Sequence, residues 1–98
     1  METQKTIAKW AEDTFGPAHN PAVLVKRADI ELQELLEAVE AQDITEIGKE
    51  TADVIILLLR ILEQHGLNFE EEITNKMHEN RKRNWLPKGD GTGKHIKP

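Results

Sequence analysis

The sequence predicts an all-α protein, a four-helix bundle with a flexible C-terminal tail. Apolar residues recur at spacings of three and four through four successive segments, which is the period of an amphipathic helix. Residues that cap or stop helices separate these segments, and no stretch shows the alternation of a convincing strand. With 98 residues, the chain is long enough for one domain and too short for two.

The first two helices are bounded by clear signals. The first is predicted from Thr3 to Phe15, and the Gly-Pro pair that follows ends it. The second begins after Asn20, which can cap a helix whose first turn contains Pro21, and it continues to about Gln42.

The third helix is the most apolar. Asp43 or Thr45 can cap it, and it is predicted to reach about His65, just before a glycine. Its second half, residues 54–62, is apolar on nearly every side apart from Arg60. Such a segment must be covered from more than one direction, which makes self-association plausible.

The fourth helix begins after Asn68 with three glutamates, which suit the positive end of the helix dipole. Ile73 and Met77 are expected to face the core, and Pro87 prevents the helix from continuing. The remaining residues are rich in glycine, lysine and proline. We therefore divide the chain into a helical domain, residues 1–86, and a flexible tail, residues 87–98.

The composition excludes several classes of function. A net charge of −5 argues against a nucleic-acid partner. The sequence has no cysteine and no serine, which excludes disulfides, a thiol nucleophile and a serine nucleophile. The longest apolar run, residues 54–59, is far shorter than the roughly 20 residues that cross a bilayer, so no membrane partner is expected. The N-terminal residues lack the pattern of a signal peptide. We expect a cytoplasmic protein.

Two acidic pairs are the strongest candidates for chemistry. Glu31 and Glu34 lie three residues apart on the second helix, and Glu50 and Asp53 lie three apart on the third. If these helices pack antiparallel, the four carboxylates converge on one point and offer the ligands that Mg²⁺ and Mn²⁺ prefer. Acidic pairs are usually solvated faces. Asp53, however, adjoins the apolar run, where a charge is costly unless a cation or partner compensates it.

Further candidates carry cationic, amide or aromatic groups. Lys76, Asn80 and Arg83 share one side of the fourth helix and suit phosphate oxygens, although a basic, exposed helix end is the simpler interpretation. Trp10 and Trp85 can stack on a base, but tryptophans in so small a protein are more often core residues.

The acidic pairs resemble the mark of the MazG-like, all-α nucleoside triphosphate pyrophosphohydrolases, an E-x-x-E on one helix and an E-x-x-D on the next. Here the pairs read Glu31-Leu-Gln-Glu34 and Glu50-Thr-Ala-Asp53. Hydrophobic residues follow the second pair, as they do in the family.

Two further segments extend the resemblance to about residues 7–86. A K-x-x-x-N-x-x-R pattern, similar to that of single-domain members, is present as Lys76, Asn80 and Arg83. The segment from Trp10 to Gly16 looks like the opening of members that act on purine deoxynucleotides.

The resemblance implies hydrolysis of a nucleoside triphosphate to a monophosphate and pyrophosphate. The four carboxylates would hold Mg²⁺, with Mn²⁺ as a substitute, and one of them would orient or deprotonate the attacking water. The implied substrate contacts are Lys76, Asn80, Arg83, Trp10 and Trp85. The resemblance also implies a homo-oligomer, a dimer or tetramer with its sites at subunit contacts.

The alternative is a non-catalytic helical bundle that associates with itself or with a partner, its acidic faces serving solubility only. Such a bundle accounts for the amphipathic helices but not for acidic residues beside the most apolar stretch. A calcium-binding protein is disfavoured because the sequence has no EF-hand loop.

Overall fold

The computed structural model describes residues 1–97. It contains four helices, α1 (Gln4–Phe15), α2 (Ala22–Glu40), α3 (Ile44–Gln64) and α4 (Phe69–Lys82), which confirms the predicted all-α class. A small antiparallel sheet of two strands follows, β1 (Asn84–Pro87) and β2 (Gly93–Ile96). No helix within residues 1–97 is long and apolar enough to span a membrane.

Helices α2 and α3 pack along each other and are joined by a tight turn. At the end of α2, the Asp43 N–H donates to the Ala38 carbonyl and the Gln42 N–H to the Val39 carbonyl, each at 3.1 Å. Gln42 adopts a left-handed conformation with φ of 56°, as this type of helix ending requires. The Asp43 side chain then caps α3 by accepting from the Glu46 N–H at 3.1 Å. The short turn places the two acidic pairs on neighbouring helices.

Helix α1 packs against α3 and is anchored at its start. The Gln4 amide group donates to Glu63 Oε1 at 2.9 Å and to the Leu67 carbonyl at 2.7 Å, while its oxygen accepts from the Phe69 N–H at 2.8 Å. One side chain therefore ties α1 to the connection between α3 and α4. Further along, Ala11 is completely buried against the bundle.

The core of the single chain is small. Its buried apolar residues are Ala11, Leu24, Ala28, Ala38 and Val54. In the apolar stretch of α3 only Val54 is buried, so the covering predicted for residues 54–62 is incomplete within one chain.

Helix α4 extends away from the other helices. It packs extensively on none of them and contributes no buried residue. The expectation that Ile73 and Met77 face the core is wrong for the single chain, where they are 50% and 39% exposed. The spacing of these residues predicted an apolar face correctly but could not show that α4 leaves the bundle.

The C-terminal segment forms a hairpin. Gly89 and Gly91, with φ of 91° and 93°, turn the chain between β1 and β2, and the Lys88 N–H donates to the Thr92 carbonyl at 2.9 Å. The prediction of a chain without strands is therefore wrong for β1 and β2. Gly89 and Gly91 form the turn of this hairpin. The division into a helical domain, residues 1–86, and a flexible tail, residues 87–98, stays a prediction. Pro98 lies outside the described residues.

Candidate active site

Three of the four predicted carboxylates meet between α2 and α3. Glu31, Glu50 and Asp53 each place one oxygen within 4.8 Å of the others. Glu31 is buried, Glu50 half-buried and Asp53 exposed, so the group opens toward solvent on one side. Glu34 lies next to Glu50 and interacts with its carboxyl group. We call these four residues the carboxylate cluster.

The electrostatics of the carboxylate cluster favour a bound cation. Burial, followed by hydrogen bonding and repulsion from Glu34 and then Glu31, raises the pKa of Glu50 from 4.5 to about 7. Among the described residues, the Oε2 atom of Glu50 is buried and finds no hydrogen-bond partner. Arg27 compensates part of the charge through an ion pair with Glu31 at 3.1 Å. Converging oxygens, one of them without a partner, fit a hard divalent cation such as Mg²⁺ or Mn²⁺.

An open pocket of about 570 Å³ shares Glu31 and Asp53 with the cluster. Trp10 and Phe15 form one part of its wall and contact each other edge to face, with 5.4 Å between ring centroids. We call it the aromatic pocket. Its remaining lining residues are Ala11, Val23, Leu24, Arg27, Ile56, Leu57 and Arg60. The chemistry of the pocket changes from carboxylates to apolar and aromatic groups, as a ligand with a charged end and a flat apolar end would require.

The other predicted substrate residues gather at the end of α4. Lys76 Nζ lies 3.5 Å from Glu79, and Arg83 forms a second ion pair with the same carboxylate. The side-chain Oδ1 atom of Asn80 is buried and has no hydrogen-bond partner in the part of the chain that the structure describes. Trp85 Nε1 donates to the backbone carbonyl of Asn80 at 2.8 Å. None of these residues lines the aromatic pocket or belongs to the carboxylate cluster. Of the substrate residues predicted, only Trp10 lies beside the cluster in a single chain.

Among the charged and aromatic lining residues of the aromatic pocket, sequence reasoning did not predict Phe15, Arg27 and Arg60 as site residues. Arg27 stands four residues before Glu31 and Arg60 seven residues after Asp53, so each shares a helix face with a cluster carboxylate. This spacing was the available signal. The guanidinium carbon of Arg60 lies 5.9 Å from the centroid of the Phe15 ring, a contact between α3 and α1 that no sequence spacing encodes.

Comparison with known proteins identifies the family. The model of the dATP/dGTP pyrophosphohydrolase family matches residues 3–98. The chain is 34% identical over 95 residues to a dATP/dGTP diphosphohydrolase of Salmonella phage PMBT28, an alignment that covers 97% of this chain and 31% of that protein. It is 32% identical over 95 residues to a dATP/dGTP diphosphohydrolase of Cyanophage S-2L, of which 86% is covered. The chain thus spans about a third of the first relative and most of the second.

A solved structure agrees with the fold. The chain is similar to the Cyanophage S-2L MazG-like pyrophosphohydrolase bound to dGDP and three catalytic Mn²⁺ ions per active site, with a TM-score of 0.77 and 30% identity. The match covers 97% of this chain and 90% of that one. From its sequence and its helical fold, the chain belongs to the dATP/dGTP pyrophosphohydrolase family of MazG-like enzymes.

Proposed function

We propose that this protein hydrolyses purine deoxynucleoside triphosphates to the monophosphate and pyrophosphate, with Mg²⁺ as the metal and Mn²⁺ as a substitute. The observation that carries the proposal is the continuity between the carboxylate cluster and the aromatic pocket, which share Glu31 and Asp53. A nucleotide can place its phosphates at the carboxylate cluster and its base in the aromatic pocket. The names of the phage relatives support dATP and dGTP as substrates.

The carboxylate cluster would hold the metal. When bound, Mg²⁺ offsets phosphate charge and polarises the phosphoryl group that water attacks. One of the four carboxylates orients or deprotonates that water. At the other end of the ligand, Trp10 and Phe15 flank the base in the apolar part of the pocket.

The proposal includes a homo-oligomer, because the single chain leaves too much surface uncovered. Its accessible surface is 7858 Å², whereas a compact monomer of this mass exposes about 5,700 Å². Its radius of gyration is 16.1 Å, compared with about 13 Å for a compact chain of 100 residues. The excess area, about 2,000 Å², is of the size that obligate homodimers bury.

A second copy would also complete the site. Lys76 and Asn80 lie on the helix that leaves the bundle, and Arg83 directly follows its last residue. Within residues 1–97, the Oδ1 atom of Asn80 has no partner. We assign these residues to phosphate or sugar oxygens at a contact between subunits. A substrate phosphate would then compete with Glu79 for the two cations.

The proposal is tested by incubating the protein with each dNTP and NTP, with Mg²⁺, with Mn²⁺ and with EDTA, and identifying the products. We expect dATP and dGTP to yield the monophosphate and pyrophosphate, and EDTA to stop the reaction. Asp53→Ala should lower kcat by at least about 100-fold while the helical content is kept, since it removes a metal ligand. Glu40→Gln, on the exposed side of α2, is the matched control and should keep full activity.

Three outcomes would count against the proposal. No turnover with any nucleotide and metal would favour the non-catalytic bundle. Release of orthophosphate instead of pyrophosphate would contradict the reaction type. Full activity of Asp53→Ala would remove this residue from the metal site.

A further inference from the structure

Arg60 is the charged residue of the aromatic pocket that the proposed reaction leaves without a role. The other charged lining residues are already compensated: Arg27 pairs with Glu31, and Asp53 belongs to the cluster that fits a cation. Within residues 1–97, Arg60 forms no ion pair. It is half-buried, whereas the Arg27 side chain is 59% exposed. A half-buried guanidinium without a carboxylate partner needs acceptors for its five donors.

The position of Arg60 is set by α3 and by Phe15. It follows Asp53 of the carboxylate cluster by seven residues on a continuous helix. Seven residues are two helical turns, so Arg60 lies about 10 Å along the helix axis from Asp53. The Phe15 ring holds the guanidinium through a cation–π contact at 5.9 Å. The distance of about 10 Å along the helix axis between Asp53 and Arg60 is comparable with the reach of a nucleotide from its α-phosphate to its base. Arg60 therefore lies at the base end of the pocket rather than the phosphate end.

We propose, on the basis of the function proposed above, that Arg60 donates hydrogen bonds to the N7 edge of the purine base and selects purine over pyrimidine triphosphates. N7 is an acceptor in both adenine and guanine, and pyrimidines have no equivalent atom. Guanine adds the neighbouring O6 acceptor and can accept both arms of a guanidinium, whereas adenine presents an amino donor at that place. The contact explains how one pocket can take both purines while favouring guanine.

The test pairs a change in the base with a change in the protein. Turnover of dGTP and dATP is compared with that of their 7-deaza analogues, in which a C–H replaces N7, for the wild type and for Arg60→Met. For the wild type we expect kcat/KM to fall about 10- to 100-fold on the 7-deaza substitution, the range for a hydrogen bond to a charged group. For Arg60→Met the 7-deaza penalty should vanish, because the donor is gone. The ratio of purine to pyrimidine turnover should fall by a similar factor.

The matched control is Arg81→Met, which removes an exposed arginine of α4 and should leave both ratios at the wild-type value. Because each comparison is a ratio within one variant, partial loss of folded protein does not affect it. Thermal unfolding of Arg60→Met measures the separate contribution of the Phe15 contact to stability.

Two results would overturn the assignment of Arg60 while leaving the proposed function intact. One is a wild-type enzyme that hydrolyses 7-deaza-dGTP and dGTP equally well. The other is a 7-deaza penalty that persists unchanged in Arg60→Met. If the wild type hydrolyses no dNTP, the proposed function itself has failed, so the two failures are distinguishable.

Discussion

Glu50 shows how a single side chain ties the stability of this protein to its function. Its Oε2 atom is buried without a partner, and burial together with Glu34 and Glu31 raises its pKa to about 7. Acidic groups held this close repel one another unless a proton or a cation lies between them. The features that fit Glu50 to metal binding therefore make the ionised, metal-free site unfavourable.

This repulsion predicts a pH dependence of stability in EDTA. The pKa of Glu50 is raised in the folded state, so between pH 4.5 and 7 the folded protein binds more protons than the unfolded chain. Its contribution to stability is thus fully present below pH 4.5 and is lost as the pH rises through about 7. Glu50→Gln should reduce this dependence and unfold at a higher temperature than the wild type at pH 8, while losing both turnover and stabilisation by Mn²⁺.

Thermal unfolding followed by circular dichroism between pH 5 and 8 checks the prediction, with Glu40→Gln as the control. Parallel pH profiles for the wild type and Glu50→Gln would show that Glu50 does not have a raised pKa in the folded protein. A Glu50→Gln variant that Mn²⁺ still stabilises fully would argue against Glu50 as a ligand.

At the scale of elements, the turn between α2 and α3 decides where the carboxylates meet. Helices α2 and α3 end with the same hydrogen-bonding pattern at their C-termini. The residue in the left-handed conformation is Gln42 after α2 and Gly66 after α3. Glycine adopts this conformation without strain, whereas a residue with a Cβ atom does so at a cost. The turn at Gln42 is therefore formed at some expense in stability.

Gln42→Gly should raise the free energy of unfolding by about 0.5 to 1 kcal/mol, the relief of left-handed strain less the extra entropy of a glycine in the unfolded chain. Gln42→Ala keeps the strain and is the matched control, expected to remain near the wild-type value. Urea denaturation of the three proteins measures the difference. A Gln42→Gly variant less stable than Gln42→Ala would contradict the assigned conformation.

For the whole molecule, the apolar surface that one chain leaves open is the surface that the proposed second copy would cover. Ile55 and Leu58 on α3 are 44% and 46% exposed, and Ile73 and Met77 on α4 are exposed to a similar degree. Exposed apolar area of this kind is typical of a subunit interface rather than of a monomer surface. The small internal core and the extended shape agree with the same interpretation.

A double substitution on α4 tests this directly. Ile73→Glu together with Met77→Glu should convert the proposed oligomer to a single chain of 11.2 kDa, because charged groups are costly in an apolar interface. Neither residue is buried in the single chain, so its helices should be kept. Light scattering after size exclusion gives the mass, and Asn75→Glu on the same helix is the control. A monomeric wild type, or a double variant with unchanged mass, would contradict the proposed oligomer.

Much of this architecture could be predicted from local patterns. The helix boundaries followed from capping residues such as Asp43 and Asn68, whose side chains accept the expected N–H groups. The hairpin at the C-terminus could not be predicted in this way. A glycine-rich segment has the composition of a disordered tail, and the pairing of β1 with β2 joins residues that are not neighbours in the sequence. The direction of α4 was equally hidden, since periodicity specifies an apolar face but not the surface that covers it.

Caps and periodic spacing act within a few residues, so the order of amino acids was enough to predict the four helices, the order of the two acidic pairs and the apolar stretch beside Asp53. Three features became visible only in the folded chain: three carboxylates lie within 4.8 Å of one another, Glu31 is buried, and Phe15 of α1 holds Arg60 of α3 beside the same pocket. These features depend on how separate helices pack, which is set by the turn at Gln42 and by contacts between residues distant in the chain. The aromatic pocket is likewise a product of packing, formed where α1, α2 and α3 meet.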